Sequence, residues 1–172
     1  YGTSGPRIQL RFFGATSFPE DICNQENRIE LAYANGKPMG GKLHDQQTLQ
    51  FYLETQADPQ SKKLIRGQII KGWMENGEAK EKVIDVFQIS KGVDSFCGVY
   101  KDTAHNPKQN AFYYARVIEE SSLRWTERKC QIAKIDCTKK VPKGYQACCN
   151  PKYPKTINER AWSSPIWYSP TK

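Results

Sequence analysis

Hydrophobic and polar residues alternate along much of the chain. In RIQLRFF, Ile8, Leu10 and Phe12 share one face and Gln9 and Arg11 the other. In TLQFYLET, Leu49, Phe51 and Leu53 oppose Gln50 and Tyr52; in AFYYARVIE, Phe112, Tyr114, Arg116 and Ile118 oppose Tyr113, Ala115 and Val117. A period of two predicts half-buried strands. LIRGQIIKGWM and AKEKVIDVFQI flank Glu75-Asn76-Gly77-Glu78 and predict a long β-hairpin. Asn-Gly suits the type I′ turn, whose two central residues both need positive φ. RIELAYA, closed by Asn35-Gly36, predicts a further strand. Helix signals are few. SFPEDICNQ predicts one short turn with Ser17 as N-cap and Pro19 near the first position. SSLRWTERKCQIAKI mixes both periods and reads as loop or one short helix. From Lys139 onward, Pro and Gly predict loop. The expectation is an all-β fold: an antiparallel β-sandwich or strongly bent sheet over residues 1–126, then a disulfide-pinned, loop-rich tail over 127–172 packing on it.

At 172 residues the chain is long enough for one domain with a real core, and 38% hydrophobic content argues against wholesale disorder. The formal charge is +8, but the basic residues are scattered (Lys62-Lys63, Lys80, Lys82, Lys139-Lys140, Lys152, Lys155), without the block that marks a basic tail. A solvated lysine-rich surface is the simpler reading, and a nucleic-acid-binding module ranks below it. No apolar run is long enough to span a bilayer. The sequence opens at Tyr1 without Met or signal peptide, which suggests a fragment or a processed product.

The six cysteines, Cys23, Cys97, Cys130, Cys137, Cys148 and Cys149, change the setting. An even count in a lysine-rich chain predicts disulfides and a secreted, periplasmic or extracellular home. Zinc is the weaker alternative, because the late cysteines run C-x6-C-x10-CC, and His44 and His105 lie far from them in sequence. Six cysteines allow fifteen pairings. The pairing guessed is Cys148 and Cys149 back to Cys130 and Cys137, with Cys23 to Cys97.

Candidate chemistry is thin. Gly2, Thr3, Ser4 and Gly5 could present N–H groups to an anion with Arg7 adding charge, but a tight turn explains the glycines as well. Gly40 and Gly41 after Met39 permit a close backbone approach, and His44-Asp45 reads more simply as a solvated pair than as a base or ligand. Arg116 stands among aromatics on a strand, where packing is the default. No Ser-x-x-Lys, G-x-S-x-G or Cys-His arrangement is present, so no catalytic residue is assigned and the chain reads as a binding or scaffolding module before an enzyme.

Five blocks in order, YGTSGPRIQLRFFG, KPMGGKL, IRGQIIKGWMENGEAKEKVIDV, AFYYARVIEESSLRWT and INERAWSSPIWYSP, cover nearly the whole chain. They resemble the C-terminal region of an uncharacterised family that joins a PHP-like metal-dependent hydrolase barrel to a β-rich region. The resemblance implies that the chain is the non-catalytic β domain of a secreted hydrolase. The divalent metal would then sit in an upstream barrel of the same parent protein, with no cofactor in this chain. The alternatives are a stand-alone extracellular structural or binding module that self-associates through sheet edges, and the nucleic-acid module. The resemblance places a junction or pocket rim at Tyr1, Thr3, Ser4, Gly5, Arg7, Met39, Gly40, Gly41, Arg116, Arg124, Glu159 and Arg160. Trp162, Ile166 and Trp167 would anchor the tail on the sandwich or on the barrel. The chain departs from the family pattern at Glu119–Trp125, and the cysteine-rich stretch 130–149 occurs only in some members.

Overall fold

A computed structural model describes residues 1–44 and 47–170. Two open sheets stack face to face. The larger is organised around β9 (Ala111–Leu123). One edge of β9 pairs with β6 (Leu64–Glu75), which pairs in turn with β7 (Glu78–Val93). The other edge is shared: β10 (Thr156–Trp162) takes the C-terminal half of β9 and carries β1 (Gly2–Thr3), while β11 (Ile166–Ser169) takes its N-terminal end and carries β4 (Lys42–His44). The smaller sheet runs β3 (Lys37–Pro38), β2 (Gln9–Ala15), β5 (Gln50–Gln56), β8 (Ser95–Lys101).

The alternation read from the sequence explains the stacking. Ile8, Leu10, Phe12, Leu49, Phe51 and Leu53 from one side meet Ile69, Tyr113, Ala115, Val117, Ala161 and Ile166 from the other, all nearly or fully buried. The long hairpin forms as expected, and its turn has positive φ at both Asn76 (52°) and Gly77 (81°).

The all-β expectation is overturned. The fold is mixed α/β, with about 14% helix and two α-helices. RIELAYA is not a strand: α1 spans Arg28–Asn35. Its residues Glu, Leu and Ala are good helix formers, and the helix sets Ala32 and Leu31 against Phe13, Phe18, Ile22 and Tyr52 on the outer face of the smaller sheet. The turn expected in SFPEDICNQ is a 3-10 turn at Ile22–Asn24, but it starts later than expected: Asp21, not Ser17, is its N-cap, no side chain among the described residues caps it, and Pro19 lies ahead of it; Cys23 ties it to Cys97 on β8. The second helix, α2, spans Trp125–Ile132. The chain beyond Lys139 is not all loop either, because β10 and β11 lie within the larger sheet. Nor is that sheet wholly antiparallel, since β11 and β4 run parallel.

The three disulfides are Cys23–Cys97, Cys130–Cys148 and Cys137–Cys149. The last two lie within residues 124–155, an insertion bridging the register pair Leu123 and Thr156 at the end of the β9–β10 ladder. No helix among the described residues is long and apolar enough to cross a membrane.

Candidate functional site: the outer face of the larger sheet

The inward residues of β9 fill the core, so Phe112, Tyr114, Arg116 and Ile118 face outward. The register assembles rows across this face. One runs Gly2, Trp162, Arg116, Gln68, Asp85. Its members are joined: Arg116 Nε donates to Gln68 Oε1 at 2.8 Å, and Gln68 Nε2 donates to Asp85 Oδ1 at 2.8 Å. A flanking row holds Arg160, Ile118 and Arg66, with Arg66 Nε 3.7 Å from Asp85. Another holds Lys42, Trp167, Phe112, Gly72 and Glu81.

Gly72 is required where it stands. A Cβ there would lie 2.2 Å from the Phe112 ring, so that ring lies across the neighbouring strand rather than standing off it. Tyr114 is nearly parallel to Phe112 (13°, centroids 6.4 Å apart), and Trp167 is 5.5 Å from it. Ile70, the register partner of Tyr114, is fully buried on this outer face. Trp167, Met74 and Val83 remain 47%, 57% and 44% exposed, an apolar field at the hairpin end of the sheet.

At the β1 edge the junction residues meet. Ser4 N donates to Arg160 O (2.9 Å), Arg160 N donates to Ser4 Oγ (2.8 Å), and Ser4 Oγ donates to Glu159 Oε2. The Arg160 guanidinium lies 6.0 Å from the Trp162 ring centroid, within cation–π range. Thr3 pairs with Ala161, and Tyr1 is exposed beside them. Gly5 lies against Glu159, since a Cβ there would sit 3.9 Å from Oε2.

The other expected residues sit elsewhere. Arg7 turns to Asp58 and Gln60; the backbone N–H groups of Arg7 and then Gln60 draw the Asp58 carboxyl down to about 2. Met39, Gly40 and Gly41 form a turn strapped to the tail, with Gly40 N on Pro165 O and Trp167 N on Gly41 O. Arg124 closes the base of the insertion through Lys155 O and Thr156 O. His44 Nδ1 lies 3.2 Å from Ser169 O, and Asp45, its expected partner, falls outside the described residues. Of the tail residues, Ile166 is fully buried, Trp162 is half-buried and Trp167 faces outward.

Two buried polar clusters escaped the sequence reading. Lys71 Nζ donates to Asp102 Oδ2 (2.7 Å) and Ala104 O (2.9 Å), and Tyr113 Oη donates to Asp102 Oδ2 (2.8 Å). Burial alone would raise the Asp102 carboxyl, but the hydrogen bonds from Lys71 and Tyr113 hold it below its ordinary value. Lys71 stands at an inward position between Ile69 and Trp73, which strand alternation would have flagged. The second cluster is Glu119, which lies at an irregularity of the β9–β10 register. It is fully buried, accepts from Ser61 Oγ at 2.6 Å, and has Oε1 without a partner among the described residues; burial raises its carboxyl. Among the described residues no group of three or more His, Cys, Asp or Glu side chains is arranged to hold a metal ion.

The chain matches the sequence profile of DUF3604, a protein family of unknown function, over residues 1–91 and 87–170. It belongs to that family. No curated protein and no solved structure matches it. In this DUF3604 chain the two matched segments together include every strand of the outer aromatic face.

Proposed function

We propose that this chain is a non-catalytic module of a secreted metal-dependent hydrolase, and that the outer face of its larger sheet docks on the catalytic barrel of the same parent protein. The supporting observation is convergence. Sequence blocks 1–5, 112–118 and 159–167, far apart in the chain, meet on one face that combines apolar rings with Arg66, Arg116 and Arg160. A face with that much uncovered aromatic surface suits an intramolecular interface. Tyr1 lies at its edge, so a preceding domain would emerge beside it. The module would supply a wall to the neighbouring site, with metal-activated water provided by the barrel. The disulfides fit an oxidising compartment.

The test is the intact, unreduced mass of the native polypeptide that carries these 172 residues. A mass far above 19.7 kDa is expected. A mass near that value would overturn the proposal and favour a stand-alone extracellular binding module, the reading to which the stapled insertion lends weight.

A further inference from the structure

Although the basic residues form no block, most of the net charge falls in one stretch of the chain. Residues 125–155 hold eight basic residues against two acidic ones, a net +6 of the chain's +8. All eight basic residues are exposed. Both acids are answered locally, Asp136 by Lys139 at 3.5 Å and Glu127 by Lys155 at 3.9 Å. Two disulfides fix the segment, which has few core residues of its own.

Helix α2 gives this patch a direction. Spacings of three, four and seven put Trp125, Arg128, Lys129 and Ile132 on one face. Trp125 is 75% and Ile132 83% exposed, while Cys130 on the other side is buried and tied to Cys148. Lys129 Nζ sits 4.7 Å from the Tyr145 ring centroid, which holds a cation in place.

We propose that this stapled insertion binds an acidic polysaccharide bearing sulfate or carboxylate groups. Guanidinium and ammonium groups on a rigid frame recognise such anions, and little ordering cost arises on binding because the disulfides have already fixed the loop. The flat indole of Trp125 offers an apolar surface for the CH face of a sugar ring. Insertion into an anionic membrane fits less well. Trp125 and Tyr153 lie near the base of the insertion and Ile132 at the far end of α2, so the apolar side chains are not gathered at one tip. Nucleic acid fits less well because disulfides persist outside the reducing cytosol and nucleus, where the cell keeps its nucleic acid. This surface is distinct from the aromatic face and does not depend on a hydrolase parent.

The experiment uses the whole chain with oxidised disulfides. Binding is measured against dextran sulfate, polygalacturonate, neutral dextran, a single-stranded oligonucleotide and phosphatidylglycerol vesicles, over a range of salt. We expect salt-sensitive binding to at least one acidic polysaccharide, with no binding to neutral dextran. The triple variant Arg128→Glu, Lys139→Glu, Lys140→Glu should weaken it by about tenfold or more. The control Lys37→Glu, Lys82→Glu, Lys91→Glu carries the same charge change and should leave it near wild type. Trp125→Ala should weaken polysaccharide binding without altering the salt slope. Equal losses from the two triple variants would overturn the proposal, since net charge alone would then explain binding. Tighter binding to vesicles or oligonucleotide than to both polysaccharides would also overturn it.

Discussion

Replacing Lys71 by Met should destabilise the protein more than any surface change. The lysine side chain is 7% and the Asp102 side chain 2% exposed. Removing the cation leaves a buried carboxylate with Tyr113 Oη and the Ala104 N–H as its remaining donors among the described residues. Breaking one half of a buried pair costs about 3–5 kcal/mol, whereas replacing both halves costs far less. At about 2–4 °C per kcal/mol for a domain of this size, Lys71→Met should lower Tm by about 6–20 °C. Asp102→Asn should also destabilise, by stranding the ammonium with Ala104 O. The double variant should be less damaged than the sum, with a coupling of about 2 kcal/mol in a thermal or urea double-mutant cycle. The sign with pH follows from the depressed carboxyl. The contribution of Asp102 is complete above the ordinary aspartate value, near 3.9, and is lost as pH falls through its lower folded value. Wild type and Lys71→Met should therefore converge in strong acid. A zero coupling, or a Lys71→Met protein as stable as wild type at pH 7, would refute the account.

Four further outcomes follow from other sites. Replacing Cys23 and Cys97 by Ala opens a 74-residue loop and should cost about 4 kcal/mol by chain entropy, read as a lower urea midpoint; replacing Cys137 and Cys149 should instead raise hydrogen exchange only within 124–155. Gly77→Ala, at φ 81°, should cost about 1–2 kcal/mol, while Gly77→Asn should cost less. Glu119→Gln should stabilise at neutral pH. The raised Glu119 carboxyl contributes favourably below the ordinary glutamate value, and that contribution is lost as pH rises through its folded value. The Tm advantage of the variant should therefore shrink on acidification, and an advantage independent of pH would contradict the burial argument.

The strands that carry the core were legible because their period of two is local information: Ile8–Phe12, Leu49–Leu53 and Phe112–Ile118 show it without their neighbours. The hairpin was legible because Asn76-Gly77 encodes its turn. RIELAYA was misread because seven residues satisfy either period, and what decides is Phe13 and Phe18, distant in sequence or unassigned to a face. The strands at 156–162 and 166–169 hid behind neighbouring prolines, and β10 takes its register from Leu123 across a 32-residue insertion. Lys71 could have been suspected from its inward position, but its partner Asp102 comes from a loop without periodicity. The aromatic face was named as residues and not as a surface, since only pairing in register puts Trp162 beside Arg116.

Gly2 pairs with Trp162, and Lys42 with Trp167. The larger sheet thus cannot close until residues 2 and 42 can reach residues 162 and 167. Such distant pairings slow folding, and the aromatic rings of β9 would meanwhile stand with one strand edge open. The insertion adds to the separation, because its two bridged loops lie in the chain between β9 and β10. Until those distant pairings form the module is vulnerable, and that is when an oxidant, a chaperone or a folded neighbouring domain has the most to contribute.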